Sequence, residues 1–126
     1  MSSEHLTGAS FLLDEDVDKN GTVLVGQGKP SVVFIIADWC GHCRSYKPEI
    51  GKILQKEGRV NLYIIEDAKD ARPSEKSLIK RMSTIVPGFR GFPTTAFFDS
   101  NGKFVETSDG NPRTAEGIKG WITKNL

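Results

Sequence analysis

The run Ser31 to Ala37, SVVFIIA, leads straight into DWCGHC. An apolar stretch rich in β-branched residues, with no polar alternation, reads as a strand buried on both faces. A strand of that kind requires a covering layer on each side of its sheet, which rules out simple bundles and one-sided sheets. A helix is predicted from Gly41 or Cys43 onward, with Tyr46, Ile50, Ile53 and Leu54 on its apolar face and Gly58 as its stop. Pro48 lies inside that pattern and removes one i to i−4 bond, which predicts a kink. Cys40 and Cys43 are the only cysteines in the chain. They fall where the strand ends and the helix begins.

The remaining elements follow from the same reasoning. Val60 to Ile65, VNLYII, is a second buried strand. Ser74 to Val86 is a helix with Leu78, Ile79, Met82, Ile85 and Val86 inward. TTAFF and KFVETS flank DSNG and read as an antiparallel hairpin. A last helix from Thr114 to Lys124 buries Ile118, Trp121 and Ile122. The order β-α-β-α-β-β-α gives an α/β fold, one mixed sheet flanked by helices on both faces. In such sheets the reactive group belongs at the C-terminal end of a strand, where Cys40 stands.

With 126 residues, the chain is expected to form one domain. Residues 1–30 are an irregular or hairpin lead-in, and 31–126 are the core. SFLL and TVLVG are candidate strands around an Asn20–Gly21 turn. That turn also puts Asp16, Asp18, Asn20 and Gly21 at calcium-loop spacing. Gln27 stands where a bidentate Glu would be needed and no helix pattern flanks the loop, so an Asp-rich hairpin turn is the reading. Asn20-Gly21-Thr22 is a glycosylation sequon, relevant only to a secreted protein.

A formal net charge of +1 gives no reason to expect nucleic acid or a membrane surface as partner. No stretch approaches the roughly 18 apolar residues of a membrane span. MSSEHLTGAS lacks the basic start and apolar centre of a secretory signal, and ITKNL is no retention signal. A cytoplasmic location is expected if the chain is complete, and the ER lumen or secretion if it is an excised mature domain. A monomer is expected.

Three chemistries are open to the cysteine pair. A structural zinc site needs four ligands, and His42 with a remote His5 does not complete one. Haem attachment needs His directly after the second cysteine, where Arg44 stands. An inert bridge would close a tiny loop and constrain little chain entropy. Redox exchange has a cause at each position. Cys40 at a helix N-terminus meets unpaired N–H groups and the positive dipole end, both favouring thiolate. Cys43, one turn in and less exposed, would resolve the mixed disulfide, and Gly41 leaves room for a substrate sulfur. His42 would stabilise the thiolate and so the reduced form, making the disulfide a better oxidant; as a bystander in a turn it would do neither. No cofactor and no metal are expected; the partners would be protein thiols and disulfides together with a redox partner.

WCGHC is similar to the active site of protein disulfide isomerases, within the thioredoxin superfamily. CGHCRSYKPE resembles the start of their active-site helix, FRGFPTTAFF their cis-proline segment, and NPRTAEGIKGWITK their last helix. Together these span most of Ser31 to Leu126. The resemblance implies a thioredoxin fold and dithiol–disulfide exchange on protein substrates. It makes Cys40 the nucleophile, Cys43 the resolving thiol and His42 the thiolate-stabilising neighbour. Trp39 would shield one side of the pair, while Phe92 and a cis Pro93 would help to hold substrate. Arg113 would approach the site and favour thiolate at Cys43, although alone it reads equally as a surface cation. Alternatives are a cytosolic reductant, or a chaperone or binding module with weak turnover.

The chain departs from that family at several places. The buried acid of the strand before the motif is replaced by Phe34. Its lysine partner on the neighbouring strand is replaced by Ile65, or Ile64. Removing both charges together can be neutral for stability, but with no obvious substitute for the acid, deprotonation of Cys43 is then expected to be slow unless Arg113 or water compensates. The connection 66–91 is long and is expected to be a surface elaboration in preference to a groove wall. The region before Ser31 is too short and too rich in Gly and Asp for the family's first helix.

Overall fold

Every residue of the SVVFIIA run is buried, and a strand pairs with it along each edge. The structure is a computed structural model that describes residues 10–108 and 113–126. In chain order its elements are β1 (Ser10–Phe11), a 3-10 turn (Asp14–Asp16), β2 (Ser31–Ala37), α1 (Gly41–Leu54) and β3 (Asn61–Asp67). Then come α2 (Pro73–Ile79), α3 (Met82–Ile85), β4 (Thr94–Phe98), β5 (Phe104–Thr107) and α4 (Ala115–Asn125). The sheet order is β1-β3-β2-β4-β5. β1 and β2 run parallel to β3, while β4 runs antiparallel to both β2 and β5. This is the mixed, doubly covered sheet that the sequence implies.

Side-chain alternation on β2 divides the interior in two. Val32, Phe34 and Ile36 join Ile64, Tyr46, Ile50, Ile118 and Ile122 under α1 and α4. Val33 and Ile35 join Ile65, Leu78, Met82, Ile85 and Val86 beneath α2 and α3. Burying Val32 through Ile36 contributes on the order of 10 kcal/mol of apolar transfer. That exceeds any single surface ion pair by an order of magnitude.

The register decides between the two candidates for the absent lysine. Phe34 pairs with Ile64 and shares its core. Ile65 points into the opposite core. The Ile65 assignment is therefore corrected to Ile64, because neighbouring residues of a strand face opposite sides.

The stretch 66–91 is also corrected: α2 and α3 carry much of the second core, so it is no surface elaboration. The helix expected over Ser74 to Val86 is interrupted between Ile79 and Met82. Arg81 has φ −100° and ψ 6° there. From this break its guanidinium donates to the carbonyls of Asp14, Val17 and Asp18, and lies 2.8 Å from an Asp14 carboxylate oxygen. Continuous helix would carry this side chain elsewhere.

The N-terminal segment differs from the expected hairpin. Residues Ser10 and Phe11 of SFLL pair with β3, and TVLVG contributes only an isolated Val17–Val23 bridge. Asp18 organises the turn by accepting the backbone N–H groups of Asn20 and Thr22 at 2.8 and 2.9 Å. This loop packs against the β4–β5 turn so closely that a Cβ at Gly102, φ +81°, would lie 2.0 Å from the Val23 carbonyl oxygen. Only glycine fits there. Among the described residues no helix is long and apolar enough to cross a membrane.

Arg81→Leu is expected to lower stability by about 2 kcal/mol, since it strands several carbonyl acceptors and one carboxylate. Urea unfolding of the reduced protein measures this. An unchanged midpoint would show that apolar contacts alone hold the N-terminal loop.

Candidate active site

Cys40 is the N-cap residue of α1, in extended conformation with φ −95° and ψ 119°. Its backbone N–H donates to the Ala37 carbonyl at 3.3 Å, closing the turn from β2 into the helix. Its thiol faces the Phe92 carbonyl oxygen at 3.6 Å. The sheet brings these together: β4 runs antiparallel beside β2 with Thr94 opposite Ile35. Pro93, just before Thr94, is thereby carried to the end of β2. The Phe92–Pro93 peptide bond is cis, as the resemblance implies.

Cys43 is in the first turn of α1. Cys40 is 7% exposed and Cys43 0%, so both are buried and the first is the less deeply buried of the two. Burial, joined by a hydrogen bond to the Cys40 sulfur, pushes the Cys43 thiol up to about 12. A backbone hydrogen bond at Ala37 and the charge of Lys47 act in the opposite direction. Near neutral pH Cys43 holds its proton.

Around the pair, Gly41 and His42 lie exposed on the first turn of α1. A Cβ at Gly41 would meet nothing within 4 Å. Trp39 is 63% exposed, and its indole N–H donates to Asp67 at 3.1 Å. Its ring meets Phe92 edge-on at 5.3 Å, and Phe92 meets Phe89 at 5.5 Å. Beside this aromatic row a groove of about 550 Å³ is lined by Pro87 through Thr94, Thr107 and Arg113. The end of the long connection thus forms a groove wall, which its reading as surface elaboration did not anticipate.

Arg113 stands at the groove and adds positive charge near the Tyr46 phenol. Burial nevertheless holds that phenol well above its ordinary range. Tyr46 shares a hydrogen bond with Thr95, and its ring packs edge-on against Phe34 at 6.1 Å. At Cys43 the charge of Lys47 favours thiolate. Asn111 and Pro112 of the NPRTAEG motif, and His5, lie outside the described residues. Glu49, from the Pro-Glu of the helix motif, accepts the Ala115 N–H at 2.9 Å and ties α1 to the start of α4.

Sequence reasoning missed Lys47 and Glu66. The Lys47 ammonium and a Glu66 carboxylate oxygen are 2.8 Å apart, with both residues buried. The positions of the family's ion pair are apolar as expected, at Phe34 and Ile64, but charge enters the interior from two other positions. The signal was parity. Lys47 falls within the buried stripe of Cys43, Tyr46 and Ile50 on α1, and Glu66 shares a strand face with Leu62 and Ile64.

The sequence profile of the thioredoxin-like domain matches residues 17–123. Protein disulfide-isomerase A2 of Mus musculus is 32% identical over 98 residues, covering 75% of this chain and 17% of its own. Protein disulfide-isomerase of Hordeum vulgare is 31% identical over 102 residues, covering 81% and 19%. The chain therefore spans less than a fifth of the length of these two relatives. A putative thioredoxin-like protein of Invertebrate iridescent virus 6 is 30% identical, with 81% of this chain and 82% of that protein covered. Among solved structures, spinach chloroplast thioredoxin f superposes with a TM-score of 0.60 at 18% identity, covering 93% of this chain and 89% of that one. Thioredoxin from Aeropyrum pernix gives 0.64 at 16%, covering 77% and 74%. With its profile match, its curated relatives and its sheet order in agreement, the chain belongs to the thioredoxin-like family.

Proposed function

We propose that the protein is a thiol–disulfide oxidoreductase of disulfide-isomerase type, acting on protein substrates. The observation that carries this reading is the placement of the two sulfurs. One belongs to the N-cap residue of α1 and faces the Phe92 carbonyl, and the other is fully buried one turn behind it. Such a pair has distinct entering and resolving members.

In the reductive direction the Cys40 thiolate attacks a substrate disulfide. A bond forms between Cys40 and one substrate sulfur, and the other substrate sulfur leaves as thiolate and takes a proton from water. Cys43 then gives its proton to water and attacks the Cys40 sulfur. The Cys40–Cys43 bond forms, the mixed disulfide breaks, and the second substrate sulfur leaves. Oxidation of a substrate dithiol runs the same steps backwards. Cys40 is the N-cap residue of α1, at the positive end of the helix dipole. His42, exposed beside it, is the residue that would favour the reduced form. Phe92, Pro93 and Trp39 would form the platform for an extended substrate segment, with Gly41 leaving the approach open. Arg113 would add positive charge from the groove side.

The decisive experiment pairs insulin reduction with refolding of a scrambled disulfide protein, on wild type and Cys40→Ser. Wild type is expected to perform both, and Cys40→Ser to lose both by at least about a hundredfold, having lost its entering nucleophile. A Ser variant that aids refolding as well as wild type would assign the site to binding without exchange.

The redox poise is expected nearer the isomerase value of about −180 mV than the thioredoxin value of about −270 mV. Equilibration with a glutathione buffer reads it. A wild-type value at the thioredoxin end would show that His42 does not set the poise.

Alkaline titration tests the burial of Cys43. Its folded-state pKa is raised to about 12 from an ordinary 9.0. The folded protein therefore keeps a proton that the unfolded chain releases, so this contribution is whole below pH 9 and lost as pH rises toward 12. The reduced form is expected to lose stability over that window more steeply than the disulfide form, in which Cys43 cannot titrate. Parallel losses for both forms would count against a deeply buried second thiol.

A further inference from the structure

The mechanism above leaves one buried pair without a use. Lys47 and Glu66 sit 2.8 Å apart with side chains 7% and 4% exposed. Every other ion pair found among the described residues has a partner at least a quarter exposed. Stability is a weak reason for such a pair, since apolar replacements of similar volume are often as stable or more so. Its position is more informative. Lys47 lies one helical turn beyond Cys43, on the buried side of α1. Glu66 pairs with Ile36 near the end of β2, the strand that delivers Cys40. The two residues enter the interior from different elements and meet on the buried side of α1, where the Lys47 charge acts on Cys43.

We infer that Lys47, held in place by Glu66, is a positioning residue that stabilises the Cys43 thiolate as it forms during release of the mixed disulfide. The inference rests on the oxidoreductase reading and adds a residue to it. In low dielectric a nearby cation favours a thiolate strongly, and a buried lysine keeps its charge most easily beside a carboxylate. Glu66 supplies that carboxylate without coming from the cysteine helix. The step stays balanced: Cys43 gives its proton to water, its sulfur bonds to Cys40, and the departing substrate thiolate takes a proton from water. Lys47 exchanges no proton. Titratable groups in the same surroundings are Cys40, Tyr46, Glu66 and Arg113. All except Glu66 are left intact by the substitutions below.

The test is stopped-flow reaction of the reduced protein with 5,5′-dithiobis(2-nitrobenzoate). Cys40 releases the first equivalent of chromophore, and attack by Cys43 on the mixed disulfide releases the second. In Lys47→Met/Glu66→Gln the second phase is expected to slow by about tenfold and its pH midpoint to rise, as loss of a nearby opposite charge requires. The first phase should remain within about twofold. Lys47→Leu/Glu66→Leu is the apolar counterpart should the first variant not fold, with the same result expected. Lys47→Arg keeps the cation and should restore the second phase to within about threefold of wild type.

A folded double variant with an unchanged second phase overturns the inference, as does Lys47→Arg slowing as much as the double variants. Failure of both double variants to fold would assign the pair to the fold and equally overturn it. A missing first phase in wild type would instead remove the oxidoreductase reading, and this inference would fall with it.

Discussion

Strand β2 has water on neither face and a neighbour on each edge, and the rest of the molecule is arranged by that condition. Its two faces demand two cores, so α1 and α4 must cover one side and α2 with α3 the other. Its parallel partner β3 requires a crossover, which α1 provides. Its antiparallel partner β4 must arrive from the far side of the second core, which brings the Phe92–Pro93 peptide to the end of β2. Cys40 stands three residues past Ala37, at the N-cap of α1. The reactive end of the molecule is where the burial of β2 runs out.

That origin explains why the two cysteines differ. Cys40 belongs to the turn and is the less deeply buried of the two; Cys43 belongs to the helix and inherits its buried face. Their difference in exposure is a by-product of helix periodicity, since position 43 lies on the same stripe as Tyr46, Lys47 and Ile50. The same stripe makes Lys47 a buried cation. An ammonium there can persist only with a partner. The strand face it meets offers Leu62, Ile64 and Glu66, and Glu66 alone among these can pair with it. The charges missing at Phe34 and Ile64 are not simply lost; the interior has an ion pair at other coordinates.

Much of this was legible in the sequence, for physical reasons that also mark where reading failed. β2 and β4 have the bounds that their apolar runs give, because runs that strong leave no competing register. α4 was found from Ile118, Trp121 and Ile122, with Thr114 capping it through the Gly117 N–H. The helix break at Arg81 was invisible, because Leu78, Met82, Ile85 and Val86 keep helical spacing across it. At the break Arg81 meets the Asp14, Val17 and Asp18 carbonyls, a tertiary contact that local spacing does not encode. The pairing of SFLL with β3 was hidden for a similar reason: a local Asn-Gly turn signal competed with a distant strand edge. Lys47 and Glu66 are hard to read from sequence because a charged side chain ordinarily faces solvent, although their spacing places them inward. Periodicity names the face; residue type says only what the face must then supply.

Phe92 shows how the two cores meet at the site. Its side chain packs against both of them. Its ring is also the middle member of the Trp39–Phe92–Phe89 row. Edge-on contacts fix ring orientation more tightly than apolar contact alone. A ring gripped from both sides of the sheet fixes its own backbone, and the backbone atom that matters is the carbonyl facing Cys40 at 3.6 Å. The long connection is therefore bound to the chemistry through Phe89, since displacement of that residue would loosen one side of the grip. Trp39 holds the other side, tethered by its hydrogen bond to Asp67 at the end of β3. The geometry facing the first sulfur is thus set by β3, β4 and the end of the 66–91 connection together, and not by the four-residue motif that announces it.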